Sequence, residues 1–253
     1  MSWRGPGARP LFALALMALA GSGEVQAWPA AAYRGMVHDV LAMLPPSLGR
    51  ILARRDEFVL SGVTTLEGET ASLIARDGIR GELSEELIAD VERRIERVVR
   101  MVGEHRPFRD TAIELGRLLR IAADLSDPTV VGAGSPELER VAPEYVRFMA
   151  LHLTKIPLVH DGSLPQPMAG ATVAGLLGRV TEATSASIRP LSKAFWRDGR
   201  VVPATSFDFR SVPYAETSLS YSRGVTAASY LWLSAWAKAN GDFTGYRFAP
   251  KKH

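Results

Sequence analysis

The chain has 253 residues, 47% of them hydrophobic and 23% charged, with 30 Lys and Arg against 27 Asp and Glu and no cysteine. This is the composition of an ordinary globular protein, and a formal net charge of +3 is too weak to argue for nucleic-acid binding. The missing cysteine excludes a disulfide, a thiolate zinc site, a thiol nucleophile and a lipid anchor on Cys.

Residues 1–27 read as a signal peptide: Arg4 and Arg9 give a basic start, Leu11 to Ala20 a short apolar run, and Val25-Gln26-Ala27 a small-residue cleavage pattern. The run is shorter than the roughly 20 apolar residues that span a bilayer, which disfavours the alternative of an uncleaved anchor. Cleavage before Trp28 leaves residues 28–253, enough for one domain with a sizeable core. Removing Arg4, Arg9 and Glu24 takes the net charge from +3 to +2. The expectation is export to a bacterial periplasm or the extracellular space, with no stable membrane span in residues 28–253.

The rest of the chain reads as helix nearly throughout, one all-α domain over residues 28–253. Residues 31–44 carry Val37, Val40, Leu41 and Leu44 at helical spacing and stop at Pro45-Pro46. Ser47 is the expected N-cap of a short helix with Leu48, Ile51 and Leu52. Residues 61–81, with their glycines and threonines, read as a loop. A long helix is predicted over 84–103: Leu87, Val91, Ile95, Val98 and Val102 form its buried stripe, and Glu92, Arg93, Arg94, Glu96, Arg97 and Arg100 its solvated face. Residues 107–126 form an apolar, enclosed helix. Ser135-Pro136-Glu137 starts another that runs to about 153. A small-residue helix over 168–187 is ended or kinked by Pro190. Residues 199–211 read as a loop, with a short strand pair through Val201, Val202, Phe207 and Phe209 as the alternative. The last helix covers 213–240 and closes on Gly241 as a left-handed C-cap.

Generic searches for chemistry find little. No phosphate-cradling glycine loop and no Gly-x-Ser-x-Gly elbow occur. Of the five histidines, His38, His105, His152, His160 and His253, none forms a His-x-x-x-His pair.

Three stretches nevertheless stand in a suggestive order. Trp28 is followed by His38 and then Leu44-Pro45. A later helix carries Leu115-Gly116, Arg120, Asp124, Pro128 and Val130. The last helix reads Trp232-Leu233-Ser234-Ala235-Trp236-Ala237-Lys238-Ala239. In this order and spacing the chain resembles the zinc-dependent phospholipase C and fungal-type zinc nuclease superfamily, over the whole of residues 28–253. Mature chains of that family begin with Trp, continue with a His-bearing first helix ending in Leu-Pro, and close on a helix often reading Trp-Leu-x-x-Trp-x-x-Ala. The resemblance implies the family's all-α, multi-helix fold.

It also implies where chemistry should sit, and much of it is missing. The family builds a three-zinc centre from His, Asp, Glu and the terminal Trp. Its loop Asp falls near Glu67, its helix His at Arg120, its following His at Val130, and a later His and Glu pair close to Glu144 and Phe148. Trp28, His38 and Asp124 match three positions that jointly bind one of the metals. An imidazole, a carboxylate and a terminal amine suit zinc, so the implied cofactor is either one zinc ion or none. The competing reading pairs Asp124 with Arg120 one helical turn away and makes His38 a hydrogen-bonded core residue.

The resemblance implies one of two functions. The first is an exported degenerate relative with reduced or no phosphodiester hydrolysis and a binding or structural role. The second is an active metal-dependent phosphodiester hydrolase, acting on phospholipid or a similar ligand with metal at Trp28, His38 and Asp124. There Arg120 would serve as oxyanion clamp and Glu67 as general base or fourth ligand. A third reading, lipid binding through Gly170, Ala174 and Gly178, competes with plain helix packing.

Overall fold

Helix forms wherever apolar residues recur at three- and four-residue steps, and the computed structural model, which describes residues 28–66, 68–159 and 172–246, is mostly helical. Among the described residues the helices are α1 (Ala30–Ala42), α2 (Pro46–Ala53), α3 (Asp56–Thr64), α4 (Gly68–Arg80), α5 (Glu85–Gly103), α6 (Phe108–Leu125), α7 (Pro128–Val131), α8 (Pro136–Glu139), α9 (Ala142–His152), α10 (Val173–Phe195) and α11 (Val212–Lys238). A two-residue hairpin, β1 (Trp196–Arg197) and β2 (Arg200–Val201), turns on Asp198 and Gly199, both at positive φ. None of the described helices is long and apolar enough to cross a membrane.

Helix α6 is the axis of the molecule. Ala112, Leu115, Leu118, Leu119, Ile121, Ala122, Ala123 and Leu125 are buried around its circumference, the pattern of a helix enclosed on all sides. It packs against α3, α11, α5, α10, α1, α4 and α7. Its closest neighbour is α3, and the reason is a glycine on each side. A Cβ at Gly62 would fall 1.9 Å from the Ile113 carbonyl oxygen, and one at Gly116 would fall 2.0 Å from that of Val59. Two bare backbones therefore cross here, which brings the Val63 carbonyl within reach of α6 one turn beyond Gly116.

Two indoles pin other elements to the same helix: Trp28 donates Nε1–H to the Ala123 carbonyl at 2.9 Å, and Trp232 on α11 to the Leu115 carbonyl at 2.8 Å. On the α5 side the contact is ionic. Arg94, 4% exposed, donates to Asp90, to Thr70 on α4 and to Glu114 on α6 at 2.8–2.9 Å. Arg117 donates to the other Glu114 oxygen at 2.9 Å. A buried arginine survives only when its donors are met in this way.

Several expectations need correction. The stretch expected as a loop over 61–81 is mostly helix, because Gly62 and Gly78 serve close backbone approach and Thr64 and Thr65 bond back to preceding carbonyls rather than making turns. Arg94 belongs to the interior, not to the solvated face of α5. Ser47 does not cap α2; its hydroxyl donates to the Asp242 carbonyl at 2.6 Å, and Pro46 opens the helix. The helix expected from Ser135 breaks into α8 and α9, where Pro143 begins a new first turn. Pro190 lies inside α10, which continues to Phe195. Residues 168–171 of the expected small-residue helix lie outside the described residues. At the end of α11 the left-handed residue is Asn240, φ 54°, while Gly241 donates its amide to the Trp236 carbonyl at 2.8 Å. The cap expected at Ser84 is present and accepts from the Leu87 amide at 3.3 Å.

Candidate functional site

At the C-terminal half of α6, Arg120 and Asp124 stand one turn apart and both turn inward. Arg120 Nε donates to both Asp124 oxygens, at 2.8 and 2.7 Å. The side chains are 15% and 7% exposed. Tyr33 on α1 completes the cluster. Its hydroxyl donates to Asp124 Oδ1 at 2.7 Å, and the Arg120 guanidinium carbon lies 4.9 Å from its ring centroid. Arg120 also donates to the Val63 carbonyl at 3.4 Å, the contact that the Gly62–Gly116 crossing makes possible. The Trp28 backbone N–H donates to the Tyr33 oxygen at 3.4 Å.

Burial pushes the Asp124 carboxyl above the usual carboxylate range, opposed by the charge of Arg120 and the hydrogen bond from Tyr33. Burial, reinforced by the Asp124 charge, holds the Tyr33 phenol well above its ordinary value, so it remains a donor. Three residues along, Asp127 is fully buried and caps α7, with Oδ1 accepting from the Thr129 amide and hydroxyl, each at 2.7 Å. Its Oδ2 has no hydrogen-bond partner among the described residues. Burial raises the Asp127 carboxyl to about 7, against the Thr129 hydrogen bonds and with help from the Asp124 charge.

Beside the pair lies a pocket of about 360 Å³. Thr64, Leu66, Ala71, Ile74, Ala75 and Val130 supply its walls, and Arg120 with Asp124 its polar end.

Of the predicted metal ligands, Trp28 and Asp124 are brought together through Tyr33; His38 is not. Its side chain is 85% exposed, and Nδ1 lies 3.3 Å from Asp39 Oδ1. The buried stripe of α1 is Tyr33, Met36, Val37 and Val40, and His38 falls off that stripe. This corrects the expectation of His38 as a core residue. The arrangement does not fit zinc. Both Asp124 oxygens accept from Arg120, and the His38 imidazole is exposed. Among the described residues no three His, Cys, Asp or Glu side chains converge to hold a metal. Glu67 lies outside the described residues. At the other family positions, Val130 is buried, Phe148 packs edge-on to Phe195 and Phe207, and Glu144 accepts from the Ala204 amide at 2.6 Å. Tyr33, Asp127 and the Val63 carbonyl are the site groups missed from sequence. For Tyr33 a signal existed, since it opens the 33/36/37/40 stripe of α1.

Compared with protein-family models, with curated protein sequences and with solved structures, the chain finds no match. The family resemblance therefore rests on the residues themselves.

Proposed function

We propose that this chain is an exported helical binding protein, a degenerate relative of the zinc-dependent phospholipase C and nuclease superfamily, with little or no phosphodiester hydrolysis. The observation that carries the reading is the Arg120–Asp124 pair. A guanidinium occupies both oxygens of the carboxylate that the resemblance assigns to metal, and a guanidinium is not a zinc ligand. Without a metal to activate water or neutralise a phosphoryl oxygen, the pair provides structure and charge but no nucleophile. The pocket beside it, apolar along its walls with the ion pair at one end, suits a small amphiphilic ligand whose polar end hydrogen-bonds there.

Elemental analysis of the purified protein, joined to a chromogenic phosphodiester assay with and without chelator, tests this. The expected result is far less than one equivalent of zinc and no chelator-sensitive turnover. One equivalent of zinc, with turnover abolished by chelator and by His38→Ala, would establish the single-metal hydrolase instead.

A further inference from the structure

A second pocket, of about 290 Å³, opens where the end of α8 meets the last turns of α10. Its lining is Glu137, Arg140, Arg189, Ser192, Lys193 and Trp196. Three cations against one carboxylate leave a formal surplus of two positive charges. The three cations are exposed, and among the described residues none of Arg140, Arg189 and Lys193 lies within ion-pair distance of a carboxylate. Arg189 and Lys193 are one turn apart on the same face of α10, where like charges repel unless an anion lies between them. Arg140 is fixed from the opposite side, its guanidinium carbon 4.5 Å from the Trp196 ring centroid.

The independent observation is Ser192. It is 6% exposed, and its hydroxyl has no hydrogen-bond partner among the described residues. A buried helical serine ordinarily donates to the carbonyl one turn back, as Thr181, Thr184, Ser187, Ser218, Ser222 and Ser229 do in this protein. Ser192 does not, nor do Thr111 and Ser220 elsewhere in the interior, but it is Ser192 that lines the pocket in which these three cations meet.

From this geometry we infer that the pocket binds a phosphate-type oxyanion, with Arg140, Arg189 and Lys193 supplying charge and the Ser192 hydroxyl a neutral donor. A surplus of two charges matches a phosphate monoester dianion, and planar guanidinium donors match its oxygens. The half-buried Trp196 gives the anion's organic substituent an apolar surface. The inference does not rest on the reading of the Arg120–Asp124 site.

Two probes separate the sources of such a group: glycerol 3-phosphate, followed by calorimetry at low ionic strength, and phosphatidylcholine vesicles containing phosphatidic acid, followed by co-flotation. Binding of the soluble ester alone assigns the pocket to free phosphate esters, and binding of the vesicles assigns it to lipid headgroups. Arg189→Gln with Lys193→Gln should weaken whichever binding is seen by more than about tenfold, and Ser192→Ala by several-fold, since each charge-assisted hydrogen bond contributes roughly that much. Arg100→Gln, which removes a cation from the end of α5, should leave it within about twofold. Glutamine on an exposed helical face preserves the fold, and circular dichroism checks it. No binding of either probe, or equal binding by wild type and the Arg189/Lys193 variant, overturns the inference.

Discussion

Arg120 and Asp124 depend on each other because both have been taken out of water. Arg120→Ala leaves the Asp124 carboxylate buried, with only the Tyr33 hydroxyl to meet it. The expected loss is about 3–5 kcal/mol, the usual cost of stranding one half of a buried pair. Replacing both members, as in Arg120→Met with Asp124→Leu, should recover most of it, because the double variant strands no charge. Urea unfolding midpoints of the single and double variants check this; a single variant as stable as wild type would contradict the burial of the pair. Asp127 makes a prediction of different form. Its folded value of about 7 exceeds the roughly 3.9 of an unfolded carboxyl, so between those values the native state holds a proton that the unfolded chain releases. Stability contributed by the protonated group is therefore fully present below about pH 4, declines as pH rises to 7, and is flat above. Asp90 works the other way: despite its burial, the hydrogen bond and charge of Arg94 hold it below the usual range, and its contribution disappears only in acid. Asp127→Asn should flatten the decline between pH 4 and 7, read from unfolding free energies across that window. At this scale the i, i+4 spacing of Arg120 and Asp124 made their pairing legible. The burial of Arg94 was not, because the partner that permits it, Glu114, lies on another helix.

The crossing of α3 and α6 makes a prediction whose sign differs between glycines that look alike in sequence. Gly116→Ala places a methyl 2.0 Å from a backbone oxygen, and neither backbone can yield without separating the two helices and withdrawing Val63 from Arg120. The variant should lose several kcal/mol, at or beyond the upper end of ordinary overpacking, or fail to fold. Gly178→Ala on α10 has nothing within 4 Å of the new methyl, so helix propensity alone acts and stability should rise by up to about 1 kcal/mol. Thermal unfolding of the pair decides it; equal effects would mean that the crossing does not need its glycines. The same contrast explains what was legible among the elements. Helices whose apolar stripe and cap agree, such as α5 behind Ser84, are evident from the chain. The region of α3 and α4 read as loop because glycine signals a turn when seen alone and a close helix contact only when its partner 54 residues away is known. The exposure of His38 was legible in the same way: it falls off the stripe of Tyr33, Met36, Val37 and Val40 that buries one face of α1.

For the molecule as a whole, α1, α3, α4, α5, α7, α10 and α11 all pack on α6, and α2, α8 and α9 join through those helices, so none of the seven keeps its buried face once α6 leaves. Unfolding should therefore be a single transition, with helix content and tertiary signals coincident. The two indoles anchored to α6 offer the means of observing it. Trp28 and Trp232 are both fully buried, while Trp196 and Trp236 are partly exposed. Trp28 also lies edge-on to Tyr221, with ring centroids 6.1 Å apart, a separation at which excitation absorbed by the phenol passes efficiently to the indole. The folded protein should thus emit little tyrosine light and show a blue-shifted tryptophan band. Trp28→Phe should dim the blue component and release the Tyr221 emission without moving the Trp232 signal. The residue that opens the described structure is in this way a built-in optical reporter of whether the first helix is seated on the axis of the fold.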